Sequence, residues 1–330
     1  MLACYLITDP FRILYYYENY YDQDEFASIN RDMAGSRRLL HHRKQGKTYE
    51  SIILGSSMAY CFRASEWEKY GHVKSAFIWN AHGESLYGVH SKIKWLDSTK
   101  YPVKNALIII DDQMLTMPGD GHGFIHLKEP EISGGSELYR QYEGLIAYFN
   151  NYFFLAQFDY YLSGHKFRPY MKNIISDPRM FGYNPVTNDM DNLFYTRMSA
   201  EDSMNRNNNH IKYMKGVFEK NNCQMTPLKR QMLCEIKNRL QHMQTDYRII
   251  VFPRLRHEPL CPADMAVVDS IFSADKVYRE NRTTLVYDEI RDFEDDLHAK
   301  YYFGTRILKR IYSTPPMMAV PDSALKWHKK

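Results

Sequence analysis

An α/β fold is predicted for this chain: a parallel sheet covered by helices in three layers, with a large, mostly helical insertion between strands. Three observations predict it. Short, almost continuously apolar runs recur at Tyr49–Leu54, Ser75–Trp79, Asn105–Ile110 and Tyr247–Phe252, as strands buried on both faces should. Helix-period patterns alternate with these runs. The alternation then breaks between about residues 113 and 224, where turn, aromatic and polar segments replace it.

The elements follow in order. Residues 1–47 read as an N-terminal extension, 48–315 as the α/β domain and 316–330 as a tail, with Pro315-Pro316 and Pro321 loosening its attachment. Met1–Ile7 is apolar, yet seven residues cannot cross a bilayer, and neither a basic leader nor a small-residue cleavage site accompanies them. Thr8-Asp9-Pro10 and Tyr15-Tyr16-Tyr17 follow, and tyrosines favour membrane interfaces. Two readings stand here: the end of an anchor that begins outside this sequence, giving membrane association, or a segment packed on the domain.

The first apolar run ends in Gly55-Ser56-Ser57. Leu86, Val89, Ile93 and Leu96 mark a helix after the second run, completing a β-α-β unit. The insertion opens with Pro118-Gly119-Asp120-Gly121-His122-Gly123, carries an aromatic cluster from Tyr148 to Phe154, and includes the polar run Asn205–His210. It is expected to lie over the C-terminal edge of the sheet, where open α/β sheets bind ligands. Thr226-Pro227 reads as the N-cap and first residue of a helix whose Leu228, Met232, Ile236 and Leu240 share one face. A final helix is expected from about Ala299 to Tyr312, with His298 at its entrance.

Composition narrows the function classes. The 330 residues are 44% hydrophobic and 15% aromatic, enough for a large core. A net charge of +4 over 43 basic and 39 acidic side chains forms no basic stripe, which argues against nucleic-acid binding. The five cysteines Cys4, Cys61, Cys223, Cys234 and Cys261 lack metal or redox spacing and read as buried free thiols. His122 and His126 stand four apart, but the glycines around them oppose a helix. No metal site and no cofactor is therefore expected, and the glycine-rich segment reads as a flexible turn.

The chemistry concentrates in two places. Gly55-Ser56-Ser57 lifts a serine hydroxyl to the rim of the sheet, and Asp295-x-x-His298 holds an acid and a base one turn apart. A serine, a base and an orienting carboxylate are the parts of a nucleophilic hydrolase, since the hydroxyl attacks only when a base in the right tautomer takes its proton.

These motifs, together with Asn80-Ala81-His82-Gly83-Glu84-Ser85 after the second strand and Asp111-Asp112-Gln113 after the third, resemble the SGNH/GDSL hydrolases. Leu54-Gly55-Ser56-Ser57, Gly83–Gly88 and Asn105–Asp111 look like an uncharacterised bacterial envelope branch of that superfamily. The resemblance covers roughly residues 48–115 and 245–312. It implies a flavodoxin-like three-layer fold, Ser57 as nucleophile, His298 as general base, Asp295 as its orienting acid, and an oxyanion hole from the Ser57 and Gly83 amides. The family's third oxyanion donor is an asparagine; here that place falls on Asp111-Asp112-Gln113, with Gln113 as the remaining amide. An aspartate there repels an oxyanion, and losing one donor costs about 10²–10³ in rate. Ser56 also replaces the usual aspartate before the nucleophile.

His82, Arg254 and Arg256 are candidate substrate contacts, His82 beside the oxyanion glycine and the arginines after the fourth strand. Glu84 is most simply placed by the helix dipole. The aromatic cluster around Tyr152 reads first as the insertion's own core and second as a sugar-stacking platform. The resemblance implies a serine esterase or acyltransferase acting on O-acyl groups of a bacterial surface glycan, in the cell envelope; the alternative is a noncatalytic glycan-binding or envelope-assembly protein with the same fold.

Overall fold

The structure, a computed structural model, describes residues 2–21, 27–117, 119, 121–150, 152–174, 181–192, 222–254, 260–279, 292–294 and 297–313. Its centre is a five-stranded sheet of β1 (Ser51–Gly55), β2 (Ala76–Asn80), β3 (Asn105–Ile110), β6 (Asp246–Val251) and β7 (Val277–Arg279). All pairs are parallel and the order is β2-β1-β3-β6-β7, so the order reverses between β1 and β3, as in flavodoxin-like sheets. A short antiparallel pair, β4 (Phe181–Tyr183) and β5 (Met190–Asn192), lies outside that sheet.

Strand residues alternate between two cores. Ile52, Leu54, Phe77, Trp79, Ile108 and Val251 face one, beneath α2 (Arg31–Lys44), α4 (Leu86–Ser98), α9 (Pro227–His242) and α10 (Pro262–Phe272). Ile53, Ile78, Leu107, Ile109 and Ile250 face the other, beneath α3 (Ala64–Gly71) and α11 (Tyr301–Ser313). Helices thus cover both faces, as the uninterrupted apolar runs require. The four expected strands lie within one residue or two of their predicted bounds, and Thr226 caps α9 through its hydroxyl as expected.

Several elements escaped the sequence reading, among them α3, α10, β7 and α2. The strand β7 is three residues long and carries Arg279, too short and too polar to register as an apolar run. The helix α2 buries Arg31, Asp32, Ser36 and Arg38 alongside Met33 and Leu39, so its inward face is half polar and shows no apolar period.

Between β3 and β6 run α5 (Asp112–Thr116), α6 (Pro130–Ser133), α7 (Glu137–Asn150) and α8 (Phe153–Leu162). Met114 of α5 and Ile132 of α6 join the first core, whereas α7 and α8 share a third core with the N-terminal segment: Tyr5 of α1 (Leu2–Thr8) packs on Tyr148 with ring centroids 5.2 Å apart, and Phe11 packs on Phe124 and Phe153. The N-terminal segment is therefore packed on the domain, and Tyr148 and Phe153 of the aromatic cluster are core while Tyr152 is exposed. Among the described residues no helix is long and apolar enough to cross a membrane. The expected tail from residue 316 lies outside the described residues.

The cysteine expectation needs correction. Cys223 and Cys261 form a disulfide, leaving Cys4, Cys61 and Cys234 as thiols. The pairing is tertiary: the chain entering α9 passes the N-terminus of α10, where Asp264 accepts from the Gln224 and Met225 amides. Among the described residues the one cluster of metal-ligating types is Cys223, Cys261 and Asp264, and its sulfurs are consumed by this bond. A bond across 38 residues stabilises by about 4 kcal/mol through the entropy of the unfolded chain. We expect reduction, or Cys223→Ser with Cys261→Ser, to lower the unfolding free energy in urea by that order, and three thiols to alkylate in the unfolded, unreduced protein. Alkylation of all five would contradict the pairing.

Candidate functional site

The C-terminal edge of the sheet collects the chemistry because every strand is parallel and delivers its following loop there. After β1, Ser56 caps a 3-10 turn (Ser57–Cys61) by accepting from the Met58 amide, which sets Ser57 at the first position of the turn, half-buried. Ser57 Oγ lies 2.8 Å from His298 Nε2, across 241 residues of sequence. His298 reaches it from a narrow turn: Phe293 and Ala299 bridge in antiparallel fashion, Glu294 N donates to His298 O at 2.7 Å, and α11 starts at Tyr301. Asp292, buried in the same turn, is held by Arg306 at 2.6 Å. Asp295, the expected orienting acid, and Arg256 lie outside the described residues.

After β2, Asn80 is fully buried, donates to Ser56 O at 3.2 Å and accepts from Arg31 Nε at 2.9 Å. Gly83 follows at φ +51. Among the described residues neither the Ser57 nor the Gly83 amide donates to a protein acceptor. His82 is half-buried near Tyr60, their ring centroids 6.2 Å apart. Burial first, then the charges of Arg31, His126 and His298, push its pKa down to about 4, so the ring is neutral at neutral pH.

Glu84 differs from its expected role as a dipole partner. It is buried in a four-membered ion cluster: Lys92 lies 2.5 Å from Glu84 and 3.1 Å from Asp32, and Lys128 lies 2.5 Å from Glu84 and 2.7 Å from Asp32. Burial alone raises the Asp32 pKa, but Lys128 and Lys92 overcome it and bring it down to about 2. The cluster ties α2, the Gly83 loop, α4 and the segment before α6 together, and removing one member of such a buried set is strongly destabilising.

After β3, Asp111 does not stand free beside the nucleophile. One carboxylate oxygen accepts from Ser56 Oγ at 2.5 Å and the other caps α5 through the Met114 amide at 2.8 Å. Burial raises its pKa to about 6 against the favourable pull of those two donors. This bond spans the point where the strand order reverses, between the ends of β1 and β3. Asp112 pairs with Arg254 at 2.8 Å, which engages the arginine expected to contact substrate. Gln113 is exposed on α5.

Sequence reasoning missed three contributors: Arg31, the ion cluster and His126. Arg31 and Asp32 sit in a helix without an apolar period, and Lys92 and Lys128 look like ordinary surface lysines. In the sequence His126 stands out only as a metal-ligating type, and its glycine-rich approach reads as a flexible turn.

Compared with models of known protein families and with curated proteins, the chain matches none.

His82 and Asp111 carry opposite pH signatures. The folded chain suppresses His82 protonation between about pH 4 and 6.5, so that contribution favours the fold above this window and is lost as pH falls through it. Asp111 keeps its proton up to about pH 6 against 3.8 in the unfolded chain, so burying it costs progressively more as pH rises through that interval. Each amounts to roughly 3 kcal/mol across its window. We therefore expect His82→Gln to gain stability relative to the native chain as pH falls from 6.5 to 4, and Asp111→Asn to gain as pH rises over the same range. Urea unfolding at pH 4, 5 and 6.5 checks this; variants running parallel to the native profile would contradict both shifts.

Proposed function

We propose that the protein is a serine esterase or acyltransferase of SGNH/GDSL type, with Ser57 as nucleophile and His298 as general base. The observation that carries this reading is the 2.8 Å contact between Ser57 Oγ and His298 Nε2, made by residues 241 apart at the ligand-binding edge of a parallel sheet. Ser57 Oγ attacks the acyl carbonyl carbon while its proton passes to His298. The carbonyl electron pair becomes an oxyanion facing the Ser57 and Gly83 amides, and collapse expels the alcohol with the proton from His298. Water then releases the acid from acyl-Ser57, giving an esterase, or a sugar hydroxyl accepts the acyl group, giving a transferase. Asp295 is the orienting carboxylate by its Asp-x-x-His spacing. The helical segment between β3 and β6 is read as an insertion on the SGNH core.

One observation favours the rival reading, a noncatalytic glycan-binding protein: the residues after β3 present carboxylates, Asp111 and Asp112, where an amide donor belongs. A fluorophosphonate probe and acetyl-ester release separate the two. The expected result is rapid labelling that Ser57→Ala abolishes and His298→Ala slows by about 10²–10⁴-fold with an unchanged circular dichroism spectrum. No labelling of the native chain between about pH 6 and 9, a range that spans the ordinary imidazole pKa, would favour the binder.

O-acylated glycans of the cell envelope are the proposed substrates, by the family association. Two features support an envelope site. A disulfide between Cys223 and Cys261 suits an oxidising compartment. Exposed large apolar side chains gather on α1, α7 and α8, among them Leu6, Ile7, Leu138, Tyr142, Leu155, Phe158 and Leu162, a chemistry suited to a membrane interface. The protein should co-float with lipid vesicles, and Ile7→Asp with Leu155→Asp should release it; a native chain that stays wholly in the aqueous fraction would remove the membrane from this reading.

A further inference from the structure

The glycine-rich segment before α6 holds an imidazole against the oxyanion loop. A Cβ built on Gly121 would come within 2.6 Å of His126 Cγ, and one built on Gly83 within 3.2 Å of His126 Cε1. The ring of His126 therefore occupies a slot between two Cα atoms that no larger residue could flank without displacing it. Its backbone is held in place: His126 N donates to Gly123 O at 3.0 Å, closing a 3-10 turn (Phe124–His126), and Asn30 Nδ2 donates to the carbonyls of Phe124 and Leu127 at 2.6 and 2.8 Å. The ion cluster adds a second tether, since Lys128 grips Glu84, the residue after Gly83. Loop and imidazole are thus fastened to each other and to α2.

The same ring lies against Gly83, in the loop that follows β2 at the edge where Ser57 stands. His82, beside Gly83, feels both His126 and His298, and His298 is bonded to Ser57. His82 by sequence and His126 by packing thus both stand next to Gly83. The end of β3, by contrast, directs Asp111 to Ser56 and Asp112 to Arg254, so neither supplies a donor to that oxygen.

We propose that His126 is the third oxyanion donor, a catalytic residue supplied by the segment between β3 and β6. This inference rests on the Ser57 acyl-transfer reading. When Ser57 Oγ bonds to the ester carbonyl carbon and its proton moves to His298, the displaced π pair resides on the carbonyl oxygen. That oxygen accepts from the Ser57 amide, the Gly83 amide and a ring N–H of His126. The donor is preorganised because the two glycines and the Asn30 clamp fix the ring before substrate arrives.

The test compares His126→Ala, His126→Gln and His126→Phe in the full chain, read by fluorophosphonate labelling of Ser57 and by kcat and KM for acetyl-ester release. Losing a donor used only in the transition state lowers kcat by about 10²-fold and leaves KM within about threefold. Glutamine, which keeps an N–H, should recover a tenfold or greater part of the loss. Phenylalanine, which keeps a ring without one, should stay at the alanine level. Native labelling with unchanged kcat in His126→Ala would overturn the donor role and leave the Ser57 reading standing. Equal activity of the phenylalanine and glutamine variants would show that the ring only fills space and would also overturn it; this comparison decides the matter if the alanine variant unfolds. Absence of Ser57-dependent labelling in the native chain would overturn the acyl-transfer reading itself, and the donor role with it.

Discussion

A parallel sheet covered on both faces leaves its polar chemistry one place to go. Ile52, Leu54, Phe77 and Ile108 point into one core, and Ile53, Ile78 and Leu107 into the other, so no strand can carry a functional side chain along its length. Only the loops at the strand ends are free of that demand. Because the strands run the same way, the loops after β1, β2, β3 and β6 emerge together, and Ser57, His82, Gly83, Asp111 and Arg254 become neighbours through the sheet alone. The shared edge is the condition on which every later contact depends.

The edge is rich in charge that water barely reaches. Arg31 stands beneath Asn80, Asp111 beneath Ser56, and the four charges of Asp32, Glu84, Lys92 and Lys128 behind Gly83. The two carboxylates and two ammonium groups balance in charge, and Lys128 and Lys92 hold the Asp32 carboxyl below the usual carboxylate range. The cluster's cost in desolvation accompanies the ion pairs that tie the loop after β2 to α2 and α4. The same surroundings keep His82 neutral, so the imidazole bonded to Ser57 faces no second positive ring from that side.

Much of this framework was legible beforehand. Asn105–Ile110 was read with both ends correct because nothing in that run competes with burial on two faces, and Thr226-Pro227 announced α9 because capping is local chemistry. Ser57 and His298 were legible as a pair by motif and order. What stayed hidden shares a cause: α2, β7, the Cys223–Cys261 bond and the slot around His126 owe their existence to partners far away in sequence. Arg31 looks like a surface arginine until Asn80 and Asn188 are placed around it. The glycines at 83 and 121 look like loose turns until one imidazole is found between them.

The sequence by itself determined the alternation of strands and helices, the placing of Ser57 at the end of β1, and a histidine at the entrance of the last helix, because period, capping and turn chemistry act over a few residues. Tertiary structure alone decided that Ser57 and His298 touch, that Asp111 turns to Ser56, that Glu84 is buried among lysines, and that His126 rests on Gly83. Those outcomes depend on the free energy of groups brought together from opposite ends of the chain, and no local window of sequence contains both partners.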